Sequence, residues 1–204
     1  MIFADLAHRG LVHPRRVRVL AEHVARLIPS NAQVLDVGTG DGLLAAAIGT
    51  RRPDLRIEGI DVLVRDAVAI PVTPFDGRVV PKASRSVDVV TFLDVLHHAD
   101  EPVALLREGA RVARSCLVIK DHLCDGRFAR WILRFMDDVG NARQGVALPY
   151  HYWSSRQWSD TIQELSLDRA VWQPGGLGLY PWPASVVFGD GLHVMARLDV
   201  SKRV

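Results

Sequence analysis

The sequence predicts an α/β protein built on a mostly parallel sheet. Up to about residue 120, short apolar runs bounded by breakers alternate with helical stretches. The first of these runs opens directly into the glycine-rich turn Gly38-Thr39-Gly40-Asp41-Gly42 and then a helix. Two further strand-like runs lie close together late in the chain, as an antiparallel edge pair would.

The first element is a helix over Pro14 to Ile28. Val17, Leu20, Val24, Leu27 and Ile28 make one apolar face. Arg15, Arg16 and Arg18 read as its solvated side, with an anion site as the alternative. Ala32 to Val37 is short and apolar, as a buried strand is, and LLAAAIGTRR after the glycine turn fits a helix. Arg56 to Asp61 reads as a second strand ending in an acid. Leu63 to Ile70 is expected as a short helix stopped by Pro71, followed by a weak strand near Val72 to Phe75. Val87 to Leu93 is the fourth strand. Asp100-Glu101-Pro102 then reads as a helix start, with Asp100 as N-cap and a helix to about Val112.

Ser115 to Ile119 is the fifth strand. Phe128 to Val139 and Ser155 to Leu165 are expected as helices, the latter capped by Ser154 or Ser155. The late strands fall around Leu167 to Trp172 and Leu192 to Leu198, with a loop from Pro174 to Pro183 between them.

Composition excludes several classes. Of 204 residues, 49% are apolar and 24% charged, an ordinary globular mixture that argues against disorder, collagen or coiled coil. The net charge of +2 does not mark a dedicated polyanion binder, so no nucleic-acid partner is expected. Cys116 and Cys124 make no disulfide framework. No run of 18 uncharged apolar residues exists, so no membrane span is expected. Asp5, His8 and Arg9 interrupt the N-terminus too early for a signal-peptide core, and the expected location is the cytoplasm. With no repeat or linker-like tract, one domain over 1–204 is the simplest organisation.

The chemistry concentrates at Val34-Leu35-Asp36-Val37-Gly38-Thr39-Gly40-Asp41-Gly42. Glycines permit a tight turn and close ligand approach, and the helix after it offers free N–H groups and a positive dipole end. Asp36 suits a bound ammonium, or else accepts local backbone bonds. A dinucleotide fingerprint needs a third glycine where Leu43 stands, and no GxxxxGK[ST] string occurs.

The segment from Asp36 to Gly42 resembles motif I of the class I S-adenosylmethionine-dependent methyltransferases. Ser86 to His98 resembles the strand-four motif of their small-molecule branch, the type 11 methyltransferase domain. The resemblance covers roughly residues 30 to 120. It implies a Rossmann-like three-layer sandwich with a seven-stranded sheet ordered 3-2-1-4-5-7-6, the last strand antiparallel. It implies S-adenosylmethionine as cofactor, with Asp36, Val37, Gly38, Thr39 and Gly40 about the methionine moiety. Asp61, with Val62 beside it, would take the two ribose hydroxyls, unless Asp61 only caps the following helix. Asp76 and Gly77 match the acid that meets the adenine amino group, though Phe-Asp-Gly is also a good turn. Leu93, Asp94 and Val95 would line the cofactor near its sulfonium; Asp94 otherwise caps the loop.

His97-His98 raises a metal reading, but adjacent side chains point in different directions. The Leu-His-His string is common in this branch without a metal, and no metal is expected. Asp121 and His122, at the sheet's carboxyl edge, are candidates for orienting acid and general base; the alternative is an ordinary polar strand end. His98, Tyr150, Tyr152 and Trp153 are candidates for an acceptor pocket, with core packing the alternative for the aromatics. Residues 1 to 25 and the insert at about 122–158 would build that pocket around a small-molecule, lipid-like acceptor. A non-catalytic interaction module and a nicotinamide-dependent oxidoreductase stand as alternatives.

Overall fold

The computed structural model describes residues 13–141, 149–182, 184–189 and 191–201. Seven strands form one sheet: β1 (Gln33–Val37), β2 (Arg56–Asp61), β3 (Val72–Pro74), β4 (Val87–Leu93), β5 (Ala113–His122), β6 (Leu167–Pro174) and β7 (His193–Val200). Their order is β3-β2-β1-β4-β5-β7-β6. The first five pair in parallel, and β7 runs antiparallel to both β5 and β6. The expected order and the antiparallel edge pair are both present.

Helices α1 (His13–Leu27), α2 (Leu43–Arg51), α3 (Pro102–Val112), α4 (Ala129–Asn141), α5 (Ser155–Glu164) and α6 (Ala184–Phe188) complete the element list. Parallel strands covered on both faces read as nearly continuous apolar runs, and the strand alternation divides them between two cores. Val34, Val89, Cys116 and Val118 pack with Leu20 and Val24 of α1, Ile28 just after it and Ile48 of α2. Leu35, Val90, Leu117 and Ile119 pack with Leu105 and Leu106 of α3 and Trp158 and Ile162 of α5. Three layers result.

Register fixes the site. Val37 lies opposite both Ile60 and Phe92, and Leu93 opposite Lys120. The carboxyl ends of β1, β2, β4 and β5 therefore finish side by side, at the edge where ligands bind in such sheets.

Four expectations differ. Residues 63–70 form no helix. Val62, Leu63, Val64 and Val68 are all exposed, so no apolar face repays the cost of nucleating a short helix. The segment instead lies over the glycine turn, with the Ala69 N–H bonded to the Asp41 carbonyl at 2.8 Å. The N-cap of α3 is Glu101, not Asp100, and no side chain caps it; Pro102 begins the helix. Strand β5 extends through Asp121 and His122 because β7 pairs with it to that end. The short α6 lies just beyond the expected loop. Ser154 caps α5 with a full capping box to Gln157.

Candidate active site

The glycine turn joins β1 to α2 with Gly38, Gly40 and Gly42 at φ 71°, 62° and 75°, values that exact a steric cost from any side chain. At Gly38 a Cβ would sit 2.6 Å from Val95 Cγ2, so the loop after β4 closes directly on the turn. At Gly40 nothing lies within 4 Å of that position. That face of the turn is open.

Two carboxylates flank it. Asp36, almost wholly buried, accepts from the Thr39 hydroxyl at 2.6 Å and the Thr91 hydroxyl at 2.5 Å. Burial pushes its pKa up to about 6, against those two hydrogen bonds and with help from the nearby Asp61 charge. Asp61, 9% exposed, accepts from the Gly40 N–H at 2.7 Å and the Leu63 N–H at 2.8 Å. It therefore ties β2 to the turn, and no helix follows it to be capped. Val62, the neighbouring candidate, is exposed. Asp76 is exposed and accepts from the Arg78 and Val79 N–H groups, both at 2.8 Å; these bonds lower its pKa. Gly77 follows with φ 77°, completing a tight turn.

Asp94 adopts φ 62° just past β4. Its carboxylate takes Arg16 of α1 at 2.8 Å and the fully buried Lys120 of β5. Burial alone would raise the Asp94 carboxyl; the two cations outweigh it and hold it well below the usual range. Arg16 also donates to the Tyr180 hydroxyl. It is thus no solvated residue, contrary to the expectation for the α1 arginines.

The two histidine–aspartate pairings cross. Asp121 accepts from the Leu96 N–H and pairs with His97 Nδ1 at 2.6 Å. His122 Nε2 faces Asp137 of α4 at 3.4 Å. Asp121 and His122 are therefore both buried at the sheet edge; the His122 backbone N–H donates to Asp121 Oδ1 at 2.7 Å, but the His122 ring faces a different carboxylate. His97 Nε2 lies 3.6 Å from Asp137, which also accepts from the Tyr152 hydroxyl. Ring centroids run 3.9 Å from His97 to His98, 4.4 Å from His97 to His122 and 5.3 Å from His122 to His193. Burial lowers the pKa of His98 to about 4, with His97 adding to the effect. Burial also lowers that of His122. Burial would lower that of His97 too, but Asp121 outweighs it.

Tyr150, Tyr152 and Trp153 do line one cavity, of about 280 Å³, together with Arg130 and His151. Two of them also pack: Tyr152 is 3% exposed and Trp153 stacks edge-on to Trp158 at 4.6 Å. His98 is outside that lining and packs on His97. A second cavity, of about 200 Å³, lies under residues 175–180. The candidate pocket residues 1–12 and 142–148 lie outside the described residues. Sequence reasoning missed Asp137, Tyr180 and His193, and placed Arg16 on a solvated face, with an anion site as the alternative. Only Asp137 left a trace, four residues after the buried Leu133 on the apolar stripe of α4.

Comparison with known proteins decides the family. The profile of the methyltransferase domain matches residues 11–175. The chain belongs to that family. Ribosomal RNA small subunit methyltransferase G of Beutenbergia cavernae is 30% identical over 147 residues, 69% of this chain and 59% of that protein. Its namesake in Rhodococcus jostii is 39% identical over 72 residues, 32% of either chain. This methyltransferase-domain chain thus spans from about a third to three fifths of these relatives' length. Among solved structures, a SAM dependent methyltransferase from Aquifex aeolicus superposes with a TM-score of 0.63 at 16% identity, covering 97% of this chain and 98% of its own. The fold is the class I methyltransferase fold.

Proposed function

We propose that this chain is an S-adenosylmethionine-dependent methyltransferase acting on a small-molecule acceptor. The observation that carries the reading is the open glycine turn at the carboxyl end of β1, beside Asp61 at the end of β2. When bound, the cofactor supplies a sulfonium-activated methyl group to an attacking acceptor atom. The residues present fit it. A carboxylate offers about four acceptor sites, and Asp61 spends two on backbone N–H groups, leaving two for the ribose hydroxyls. Asp36 supplies negative charge to the ammonium of the methionine moiety. Val37, Thr39, Val62, Asp76, Gly77, Leu93 and Val95 would complete the enclosure, with Asp76 and Gly77 at the adenine. Arg16 and Lys120 fix Asp94 and so hold the loop that presses Val95 on the turn.

On the acceptor side, Asp121 is a positioning residue that fixes the His97 ring. His122 turns Nε2 toward Asp137 and keeps a buried Nδ1 without a partner, the nitrogen we assign to receive a proton from an acidic acceptor. Aligning the reacting atoms in a dry pocket is the larger contribution, at several kcal/mol. The cavity lined by the rings of Tyr150, Tyr152 and Trp153 opens to the surface, and its aromatic walls favour a small acceptor with apolar surface.

A second reading, an RNA acceptor, has its own support. The relatives named above carry an RNA name. Phe128, Trp131 and Phe135 are 72, 71 and 47% exposed, interleaved with the exposed Arg127, Arg130 and Arg134. Such faces stack single-stranded bases.

Calorimetric titration with S-adenosylhomocysteine, alongside NADH, tests the cofactor. Micromolar binding of the first alone is expected. Asp61→Ala should weaken it by at least about 1.5 kcal/mol, roughly tenfold; an unchanged Kd would remove the ribose assignment. Binding of NADH alone would overturn the reading.

A further inference from the structure

We propose that His97, His98 and Asp137 form a binding site for a divalent transition-metal ion of the zinc class. One ring nitrogen of each histidine and one carboxylate oxygen of Asp137 lie within 4.8 Å of one another. The expectation against a shared ion assumed that adjacent side chains diverge. The 3-10 turn over Leu96–His98 instead brings the two rings to 3.9 Å.

Three further features point to a ligand. First, ring orientation is already set: His97 directs Nδ1 to Asp121 and Nε2 toward Asp137. A carboxylate on the far ring nitrogen is the usual support of a metal-bound histidine. Second, the separation of His97 Nε2 from Asp137 Oδ2 is 3.6 Å, beyond a good hydrogen bond. A tetrahedral ion with ligands at about 2.0–2.1 Å holds them roughly 3.4 Å apart, so small side-chain rotations complete the set. Third, His98 Nδ1 is buried with no hydrogen-bond partner, an arrangement with a real desolvation cost unless something binds there. Tyr152 steadies Asp137 from behind by donating to Oδ2.

Two imidazoles and one carboxylate suit zinc, iron(II) or cobalt(II) over magnesium, which prefers oxygen ligands and water. Three protein ligands leave at least one position open, as in metal sites that receive a substrate atom. The site stands just past the end of β4, beside the end of β5 and α4. Its existence does not depend on the methyl-transfer reading, because the probe is the metal alone.

The test uses the untagged chain, stripped with chelator and then titrated with Zn²⁺ by calorimetry. Cobalt(II) serves as a spectroscopic substitute. One ion per chain at micromolar affinity or tighter is expected, with visible absorption of the intensity of a four-coordinate cobalt site. His98→Gln and Asp137→Asn, both near-isosteric, should each weaken binding at least tenfold while His23→Ala leaves it unchanged. Cooperative thermal unfolding of each variant guards against misfolding. Absence of stoichiometric binding, or equal binding by His98→Gln and the parent chain, would overturn the proposal and leave the cluster as a hydrogen-bonded core network. Cofactor binding measured on the same samples separates this failure from failure of the methyltransferase reading.

Discussion

Asp36 is the residue where structure and cofactor reading meet in one measurable quantity. Its folded-state pKa of about 6 lies above the ordinary 3.8. A folded group that holds its proton more tightly contributes stability at low pH, and that contribution is lost as pH rises through about 6. Over two pKa steps this amounts to roughly 3 kcal/mol, present below pH ~4 and gone above pH ~6. Asp36→Asn should therefore match the parent chain in stability at pH 4 and exceed it at pH 7.5, in denaturant titrations at the two pH values. The same substitution removes the charge proposed to meet an ammonium. S-adenosylhomocysteine affinity of the parent chain should climb between pH 5 and 7 as Asp36 ionises, and Asp36→Asn should flatten that rise. A pH-independent affinity in the parent chain would detach Asp36 from the ammonium.

At the scale of elements, the contact between α3 and β4 is tightly constrained. Gly109 lies in α3, and a Cβ there would stand 2.6 Å and 2.7 Å from two ring atoms of the buried Phe92. Alanine is favoured over glycine in a helix by about 1 kcal/mol, yet overpacking a tight core costs about 1–3 kcal/mol. Crowding wins here, because Phe92 is enclosed and has nowhere to turn. Gly109→Ala should lose about 1–2 kcal/mol net, read as a lower denaturation midpoint at unchanged slope. An increase would mean that the helix can lift from the sheet. Two sequence expectations show the same competition. Residues 63–70 have an adequate helical pattern but no surface to bury it against, so the pattern did not decide. Ser154 and Gln157 sit within one turn of chain and need no tertiary partner, so a cap at Ser154 or Ser155 was legible, and the structure places it at Ser154.

For the whole molecule, a ligand that binds only the folded chain shifts its unfolding by mass action. S-adenosylhomocysteine at about 100 times its Kd should add about 2.7 kcal/mol, raising Tm by roughly 5–10 °C for a chain of this size. A thermal scan checks this, with no shift expected from NADH. No helix among the described residues is long and apolar enough to cross a membrane, in line with the lack of a long apolar run. The sequence by itself determined the sheet class, the glycine turn and the acids at the ends of β1 and β2. Each of those signals is local: a strand, a turn and a helix read within about twenty residues. Only the tertiary structure decided that Asp121 serves His97, that Asp137 meets His122, and that Arg16 and Lys120 share Asp94. Those partners come from elements up to 78 residues apart, and side-chain pairing at that range follows from which strands lie side by side. The parallel register that aligns the ends of β4 and β5, and the antiparallel return of β7 beside them, are what gather the histidines and their carboxylates into one place.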